Sequence, residues 1–177
     1  RLAKPLPSTL NAKDIMALID AAKADSSPKG TRLLAMLELM YGAGLRVSEL
    51  VSLKLSALQI KEGGKQVSAD FLIVRGKGNK ERLVPVNANT RAALSKYLEV
   101  RHVFIQGAEP KVQSLEKKKA NSQKLPTSIY LFPYHRAEGY ITRQQFGVML
   151  KELAVKAGID PEKISPHTLR HSFATHL

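Results

Sequence analysis

Three short segments of this sequence carry basic side chains at spacings that could bind a phosphate group and move a proton. In the first, residues 44–50 (GLRVSEL), Arg46 stands at a glycine turn that enters a helix, and Glu49 follows three residues later. Residues three apart on a helix are neighbours, so the carboxylate could hold the guanidinium in place. An ordinary surface ion pair is the alternative interpretation for a lone arginine.

The second segment is a short turn, residues 75–82, in which four cations surround one acid. Arg75, Lys77, Lys80 and Arg82 stand against Glu81. A basic turn is usually solvated, but it can also bring an ammonium group to a phosphate. Lysine suits proton delivery better than arginine because a nearby positive charge can lower its pKa.

The third segment, residues 166–174 (PHTLRHSFA), places His167, Arg170 and His171 on one face of a predicted helix. Two histidines four apart can hold zinc in proteases, but Thr168 stands where those enzymes have their glutamate base. A cationic pair of His167 and Arg170 facing an oxyanion is the better interpretation. For this motif alone, two partly buried histidines that cap and pack remain the alternative.

The charge of the whole chain favours a polyanionic partner. Its 177 residues include 28 lysines and arginines against 15 acids, a net charge of +13, and the excess is shared by both halves of the chain. DNA, RNA and an anionic membrane surface are the partners that fit such an excess. The absence of cysteine excludes disulfides and thiolate sites. No apolar run is long enough to span a membrane, so we expect a soluble intracellular protein.

The hydrophobic pattern predicts the elements that position these segments. Helices are predicted from Asn11, over 31–40, from about Arg46, over 89–103, from Thr142 to Gly158 and from Ser165 to Leu177. Residues 71–74 and 83–86 are β-like runs on either side of a glycine-rich turn, which indicates a hairpin. The lysine-rich stretch 106–128 is predicted to be a long exposed loop. We therefore expect a mainly α-helical domain with a small antiparallel β-hairpin sheet.

Taken together and in this order, the three segments resemble the motifs of the tyrosine recombinase (phage integrase-like) family, most closely its bacterial Xer branch. Residues 44–50 resemble the first-arginine motif, residues 76–85 the catalytic-lysine hairpin and residues 165–176 the His-x-x-Arg box. The resemblance covers nearly the whole chain, and it implies the catalytic-domain fold of that family.

The resemblance also implies a role for each matching residue. Arg46 and Arg170 would clamp the scissile phosphate, with help from His167. Lys77 would be the general acid that protonates the leaving 5′ hydroxyl. Glu49 would support the first arginine. Guanidinium groups suit this task because attack on a phosphodiester builds charge on its non-bridging oxygens.

The expected cofactors and partners follow from the same resemblance. Lys80 and Arg82 on the basic hairpin are expected to bind DNA. The family's reaction needs no metal or cofactor, because the bond energy is kept in a 3′-phosphotyrosyl link. The partners would be duplex DNA and sister recombinase subunits in a tetrameric synaptic complex, with no membrane. The expected location is the cytoplasm, in association with the nucleoid.

Two parts of such an enzyme are expected to lie outside this sequence. Residues 1–9 resemble a linker from an N-terminal DNA-clamping domain, and residues 10–177 a catalytic domain without its C-terminal nucleophile segment. All five tyrosines precede His167, and none has the nucleophile's place in the motif order: Tyr41, Tyr97, Tyr130, Tyr134 and Tyr140. We therefore expect a C-terminally incomplete domain with no nucleophile of its own.

The expected function is site-specific DNA recombination through a 3′-phosphotyrosyl intermediate, of the type that resolves chromosome dimers. A phage or mobile-element integrase is one alternative, and a DNA-binding relative that never cleaves is another. A basic RNA-binding or ribosomal protein would explain the charge, but it would leave the three motifs as a coincidence.

Overall fold

A computed structural model of the chain describes residues 10–58, 70–105, 128–134 and 139–176. Its helices and strands are α1 (Ala12–Ala24), α2 (Pro28–Gly42), α3 (Val47–Val51), β1 (Phe71–Arg75), β2 (Glu81–Pro85), α4 (Ala88–Val100), α5 (His102–Ile105), α6 (Arg143–Lys156) and α7 (Pro166–His176). The predicted class, mainly α with a small antiparallel hairpin, is confirmed. The predicted linker 1–9 and residues 106–127 of the predicted loop lie outside the described residues.

The helix starts follow from side chains that accept the first unpaired backbone N–H groups. The Asn11 side chain accepts from the N–H of Asp14 at 2.8 Å, as expected for the start of α1. Helix α2 begins three residues before the predicted Thr31. There, the Ser27 hydroxyl accepts from the N–H of Gly30 at 3.2 Å, and Pro28 occupies the first turn, where its missing N–H costs nothing.

The two helices at the end of the described chain also begin at side-chain caps. The predicted capping box of α6 is confirmed: Thr142 Oγ1 accepts from the N–H of Gln145 at 3.1 Å, and Gln145 Oε1 accepts from the N–H of Thr142 at 2.8 Å. Ser165 and Thr168 cap α7 in the same reciprocal way, at 2.9 and 3.2 Å. The start of the helix that carries His167 is therefore well defined.

Helix α2 lies at the centre of the domain, where it packs against α1, α4 and α7. Met36, Leu39 and Met40 are fully buried there. Each such side chain contributes about 1.5–3 kcal/mol by leaving water. The core continues to the inner face of the hairpin, so the hairpin is anchored to the same core as the helices.

Strands β1 and β2 pair antiparallel, with Val74 opposite Arg82 and Arg75 opposite Glu81. Alternate residues face the core: Leu72, Val74 and Val84 are buried, whereas Phe71, Ile73 and Leu83 are exposed. The turn between the strands uses Gly78 and Asn79 with φ of 76° and 61°, a conformation that glycine and asparagine adopt more readily than other residues. Lys77 therefore lies at the tip of an anchored hairpin.

Two long-range connections hold the domain together outside its helices. Segment 128–134 runs beside the chain that follows α3, where the N–H of Leu131 donates to the carbonyl of Leu53 at 2.8 Å. At the start of the described chain, the N–H of Leu10 donates to the buried Ser172 hydroxyl of α7 at 3.1 Å. The first connection reaches the segment that follows α3, and the second reaches the helix that carries His167 and Arg170.

Candidate active site

Arg46 occupies the N-cap position of α3, directly after Gly44 in a left-handed conformation (φ 66°) and the buried Leu45. Its backbone N–H donates to Glu49 Oε2 at 2.9 Å, and its guanidinium Nη1 donates to Glu49 Oε1 at 3.3 Å. The Glu49 side chain is only 3% exposed, whereas that of Arg46 is 53% exposed. Glu49 therefore contacts both the backbone and the guanidinium of Arg46, while the guanidinium still faces solvent. The role of Glu49 as a support of Arg46 in the reaction stays a prediction.

A second arginine reaches the same carboxylate from the hairpin. Arg82 Nη2 donates to Glu49 Oε2 at 2.7 Å. From the sequence, Arg82 is expected to bind DNA, and this ion pair with Glu49 is not predicted. The strand alternation carried a signal for it, because Arg82 shares the inner face of β2 with the buried Val84. DNA binding by Arg82 stays a prediction.

These donors determine the charge state of Glu49. Burial raises the pKa of the Glu49 carboxyl, but the hydrogen bonds from the Arg46 N–H and the Arg82 guanidinium, together with the charges of both arginines, outweigh it. The net effect is a pKa below the usual value for glutamate. Glu49 is therefore a buried carboxylate that stays ionised next to two guanidinium groups.

The hairpin turn passes close to this cluster. A Cβ atom at Gly76 would lie 3.4 Å from Glu49 Oε1 and 4.0 Å from Arg46 Nη1, so the backbone at Gly76 runs directly beside both side chains. The exposed Lys77, next in the chain, lines an open groove together with Arg46 and Ser48. The structure therefore brings the proposed acid and the first arginine to one groove.

Helix α7 lines a second groove, which Arg82 shares. Its walls are formed by His167, Arg170 and His171 on α7, by Arg82, and by Ala43, Gly44 and Ala174. The two histidine rings are nearly parallel, with centroids 6.5 Å apart, so they lie on one face as predicted. Both histidines are exposed, which contradicts the alternative of partly buried packing histidines. The Glu49–Arg82 ion pair connects this groove to the one that holds Arg46 and Lys77.

The other two cations of the described hairpin form no ion pair with Glu49. Arg75 pairs with Glu81 at 3.0 Å on the exposed outer face. Lys80 is exposed next to the turn, and within the described part of the chain neither Lys77 nor Lys80 forms an ion pair. Both ammonium groups are thus available to a phosphate.

The described tyrosines lie away from both grooves. Neither groove is lined by a tyrosine of the described residues. Tyr97 is fully buried, and the rings of Tyr130 and Tyr140 contact each other edge to face at 4.7 Å. Among residues 10–58, 70–105, 128–134 and 139–176, no three or more His, Asp or Glu side chains cluster in a way that could hold a metal ion. No helix in those ranges is long and apolar enough to cross a membrane.

The two grooves present guanidinium, ammonium and imidazole groups. Because the Glu49 carboxylate is buried, it does not compete with a phosphate for these groups. Guanidinium groups bind phosphate oxygens through short charge-assisted hydrogen bonds. An ammonium group in the same groove can supply a proton to an oxygen that leaves phosphorus. The arrangement suits binding and cleavage of a phosphodiester.

Comparison with known proteins agrees with this chemistry. The fold is that of tyrosine recombinase catalytic domains: the crystal structure of the XerA recombinase superposes with a TM-score of 0.68 and 28% identity, over 99% of this chain and 51% of that one. The chain belongs to the phage integrase family, whose sequence profile matches residues 8–177.

Curated relatives give the same assignment. The chain is 46% identical over 172 residues to the tyrosine recombinase XerD of Rickettsia bellii, which covers 97% of this chain and 51% of the relative. It is 41% identical over 179 residues to the tyrosine recombinase XerC of Erythrobacter litoralis, covering 99% of this chain and 48% of the relative. The chain thus spans about half the length of the curated relatives that it matches.

Proposed function

We propose that this chain is the phosphate-activating part of a tyrosine recombinase that cleaves and rejoins duplex DNA at specific sites, of the type that resolves chromosome dimers. The observation that carries the proposal is the buried Glu49 carboxylate, which holds Arg46 and Arg82 beside the hairpin of Lys77. Membership of the phage integrase family and the similarity to recombinases named XerD and XerC support it.

The first step of the reaction is recognition of one phosphodiester. Arg46 and Arg170 donate hydrogen bonds to the non-bridging oxygens of the scissile phosphate, and His167 assists them. These donors stabilise the negative charge that builds on the oxygens during attack. Because Glu49 already holds Arg46, little reorganisation is needed when the DNA arrives.

The second step is nucleophilic substitution at phosphorus. A tyrosine hydroxyl gives up its proton to solvent as its oxygen attacks phosphorus, a 3′-phosphotyrosyl bond forms and the bond from phosphorus to the 5′ oxygen breaks. Lys77 gives its proton to that 5′ oxygen. Rejoining is the reverse, with the 5′ hydroxyl of another strand as the nucleophile, and the phosphotyrosyl link keeps the bond energy throughout.

The remaining parts of the enzyme belong to a longer protein. Residues 1–9 act as a linker and residues 10–177 as most of the catalytic domain, while the attacking tyrosine belongs to a segment outside these 177 residues. Lys80 and Arg82 contribute to DNA binding, and sister subunits assemble with this one into a tetrameric synaptic complex. The enzyme works in the cytoplasm on nucleoid DNA.

The decisive experiment uses a suicide DNA substrate. A nick in this substrate lets the fragment that carries the new 5′ hydroxyl diffuse away after cleavage. The longer protein should form a covalent 3′-phosphotyrosyl adduct that is visible on a denaturing gel, whereas the 177-residue chain should bind the DNA without forming an adduct. The longer protein with Arg91→Gln serves as a control and should still form the adduct. Arg91 pairs with the exposed Asp70 at 2.7 Å and lines neither groove.

Each alternative has its own outcome in this experiment. DNA binding by the longer protein without any adduct would identify a non-cleaving relative. Preference for RNA over duplex DNA of equal length would identify an RNA-binding protein. An adduct formed by the 177-residue chain would show that one of its own tyrosines attacks, and it would contradict the proposed division of the enzyme.

A further inference from the structure

We propose that Arg82 is a positioning residue that holds the Glu49 carboxylate towards Arg46, and that it fixes the hairpin of Lys77 against the start of α3. This role deepens the proposed function and rests on it. It is separate from the proposed contribution of Arg82 to DNA binding, because in this role Arg82 acts through Glu49 and Arg46.

The hydrogen bonds of Glu49 show how the role arises. Oε2 accepts from the Arg46 N–H at 2.9 Å and from Arg82 Nη2 at 2.7 Å, while Oε1 accepts from Arg46 Nη1 at 3.3 Å. Two of these donors belong to Arg46, and the third comes from β2, 33 residues away. The shortest of the three bonds is therefore the one that joins the hairpin to α3.

Burial makes this bond consequential. The Glu49 side chain is 3% exposed, so its carboxylate depends on protein donors for its hydrogen bonds. Without Arg82, the buried Glu49 carboxylate would keep only two donors, the Arg46 N–H and the Arg46 guanidinium at 3.3 Å. Removing one partner of a buried charge is costly, and the carboxyl responds by binding a proton more readily or by rotating. Either response weakens its hold on the Arg46 guanidinium.

The register of the hairpin links Arg82 to Lys77. Arg82 lies opposite Val74 on the core-facing side, and Lys77 lies in the turn that joins the same two strands. The Arg82–Glu49 bond therefore connects the strand next to Lys77 to the helix that carries Arg46. The pair of Arg75 with Glu81 lies within the hairpin, on its exposed face, and makes no such connection.

The first test reads Glu49 directly, in the 177-residue chain and without DNA. Carbon-13 NMR of the side-chain carboxyls gives the pKa of Glu49, and the amide signal of Arg46 reports its hydrogen bond to Oε2. Arg82→Gln should raise the pKa of Glu49 and shift the Arg46 amide. Arg82→Lys keeps a charge near the carboxylate and should cause a smaller rise. Arg91→Gln removes an equal charge from a half-buried arginine that pairs with the exposed Asp70 and does not contact Glu49, so it should change neither signal.

The second test measures cleavage by the longer protein. Misplacing a catalytic group by about 1 Å can cost about a hundred-fold in rate, and we expect a loss of that order in Arg82→Gln. Glu49 must be ionised to hold Arg46, and its pKa is higher in this variant. The rate should therefore begin to fall at a higher pH than in the wild type as the solution is acidified. Arg82→Lys should restore part of both properties.

The outcomes separate this proposal from the proposed function. An unchanged Glu49 pKa and an unchanged Arg46 amide in both Arg82 variants would overturn the positioning role. Weaker DNA binding with those two signals unchanged would show that Arg82 contacts phosphate directly, which also overturns it. Failure of the wild-type longer protein to cleave DNA would refute the recombinase function, while the NMR result would still decide what Arg82 does to Glu49.

Discussion

Tyr97 and Arg101, one turn apart at the end of α4, donate hydrogen bonds to the same acceptor, the carbonyl oxygen of Leu131, at 2.7 and 3.1 Å. Arg101 also donates to the carbonyls of Ser128 and Tyr130. Segment 128–134 is thereby fixed to α4 on one side. On its other side it pairs with the chain that follows α3, so α4 contributes to the placement of the helix that begins at Arg46.

The two donors should differ in their effect on stability. Arg101→Met leaves the carbonyls of Ser128 and Tyr130 without this donor and should lower the free energy of unfolding by about 3 kcal/mol, as when a buried polar network is broken. Tyr97→Phe should cost about 1 kcal/mol, because Arg101 still donates to Leu131. Urea denaturation of both variants measures the difference. Equal losses would mean that the carbonyls at 128 and 130 do not depend on Arg101.

Two helical glycines should respond in opposite directions to alanine. A Cβ at Gly30 would lie 2.2 Å from the backbone carbonyl oxygen of Asp25, so Gly30→Ala forces the backbone apart and should cost about 1–3 kcal/mol. Gly147 on α6 has nothing within 4 Å of such an atom, and Gly147→Ala should stabilise the protein by about 0.5–1 kcal/mol. Thermal and urea denaturation test both changes. A stabilised Gly30→Ala variant would contradict the close approach.

The proposed roles of Arg46 and Lys77 predict different kinetic signatures in the longer protein. Arg46→Ala should slow cleavage by about a hundred- to a thousand-fold, the scale of losing one oxyanion donor. Lys77→Ala should be slow on ordinary DNA and recover on a substrate with a 5′-thiolate leaving group, which needs no proton. Single-turnover cleavage of both substrates gives the comparison. Equal loss on the two substrates would remove Lys77 from the role of general acid.

Glu38 should make stability depend on pH in the opposite sense to Glu49. Burial raises the pKa of the Glu38 carboxyl, and the charge of Lys23 offsets this only in part. An acid whose pKa is higher in the folded state destabilises the fold once it ionises, so stability should rise as the pH falls through that pKa. Glu38→Gln should abolish this dependence and add about 1 kcal/mol at neutral pH.

A control and a sign test complete the Glu38 prediction. Glu99→Gln changes an exposed glutamate on α4 and should alter stability by less than about 0.5 kcal/mol. Urea midpoints measured across acidic and neutral pH provide the data. Lower stability of Glu38→Gln at neutral pH would mean that the ionised carboxylate has favourable partners and that its burial does not dominate.

DNA binding by the 177-residue chain should depend steeply on salt, because its net charge is +13 and phosphate contacts release counterions. Lys80→Gln should weaken binding to all sequences alike and reduce the slope of log K against log salt by about 0.9, the value for one phosphate contact. Arg91→Gln serves as the matched loss of charge. Titrations at several salt concentrations measure the slopes, and identical slopes for Lys80→Gln and the wild type would place Lys80 away from the phosphates.

Local signals made much of this fold predictable. Strand alternation and the glycines of the turn predicted the hairpin. The residue types at Thr142 and Gln145, three positions apart, predicted the capping box. The sequence also contains the signal for the start of α2, since Ser27 is a typical N-cap residue and Pro28 suits the first turn of a helix. The helix was nevertheless predicted to begin at Thr31, because the same residues are typical of loops.

Contacts between distant residues were beyond the sequence. Glu49 and Arg82 are 33 positions apart. Each has several residues of opposite charge closer along the chain, so composition and spacing do not identify the pair. The anchoring of segment 128–134 by Arg101 is equally non-local. Both connections depend on how the hairpin and α4 pack on the core, which periodicity within one element does not determine.

The hydrogen bond from the Leu10 N–H to the Ser172 hydroxyl has a mechanical consequence. It connects the chain just before α1 to the middle of α7, and Ser172 itself donates to the carbonyl of Thr168 at 2.8 Å. Leu10 is itself buried in the core, and its N–H is bonded to α7 two residues from Arg170. A displacement of the chain just before α1 would therefore disturb both the core and the helix that lines the groove.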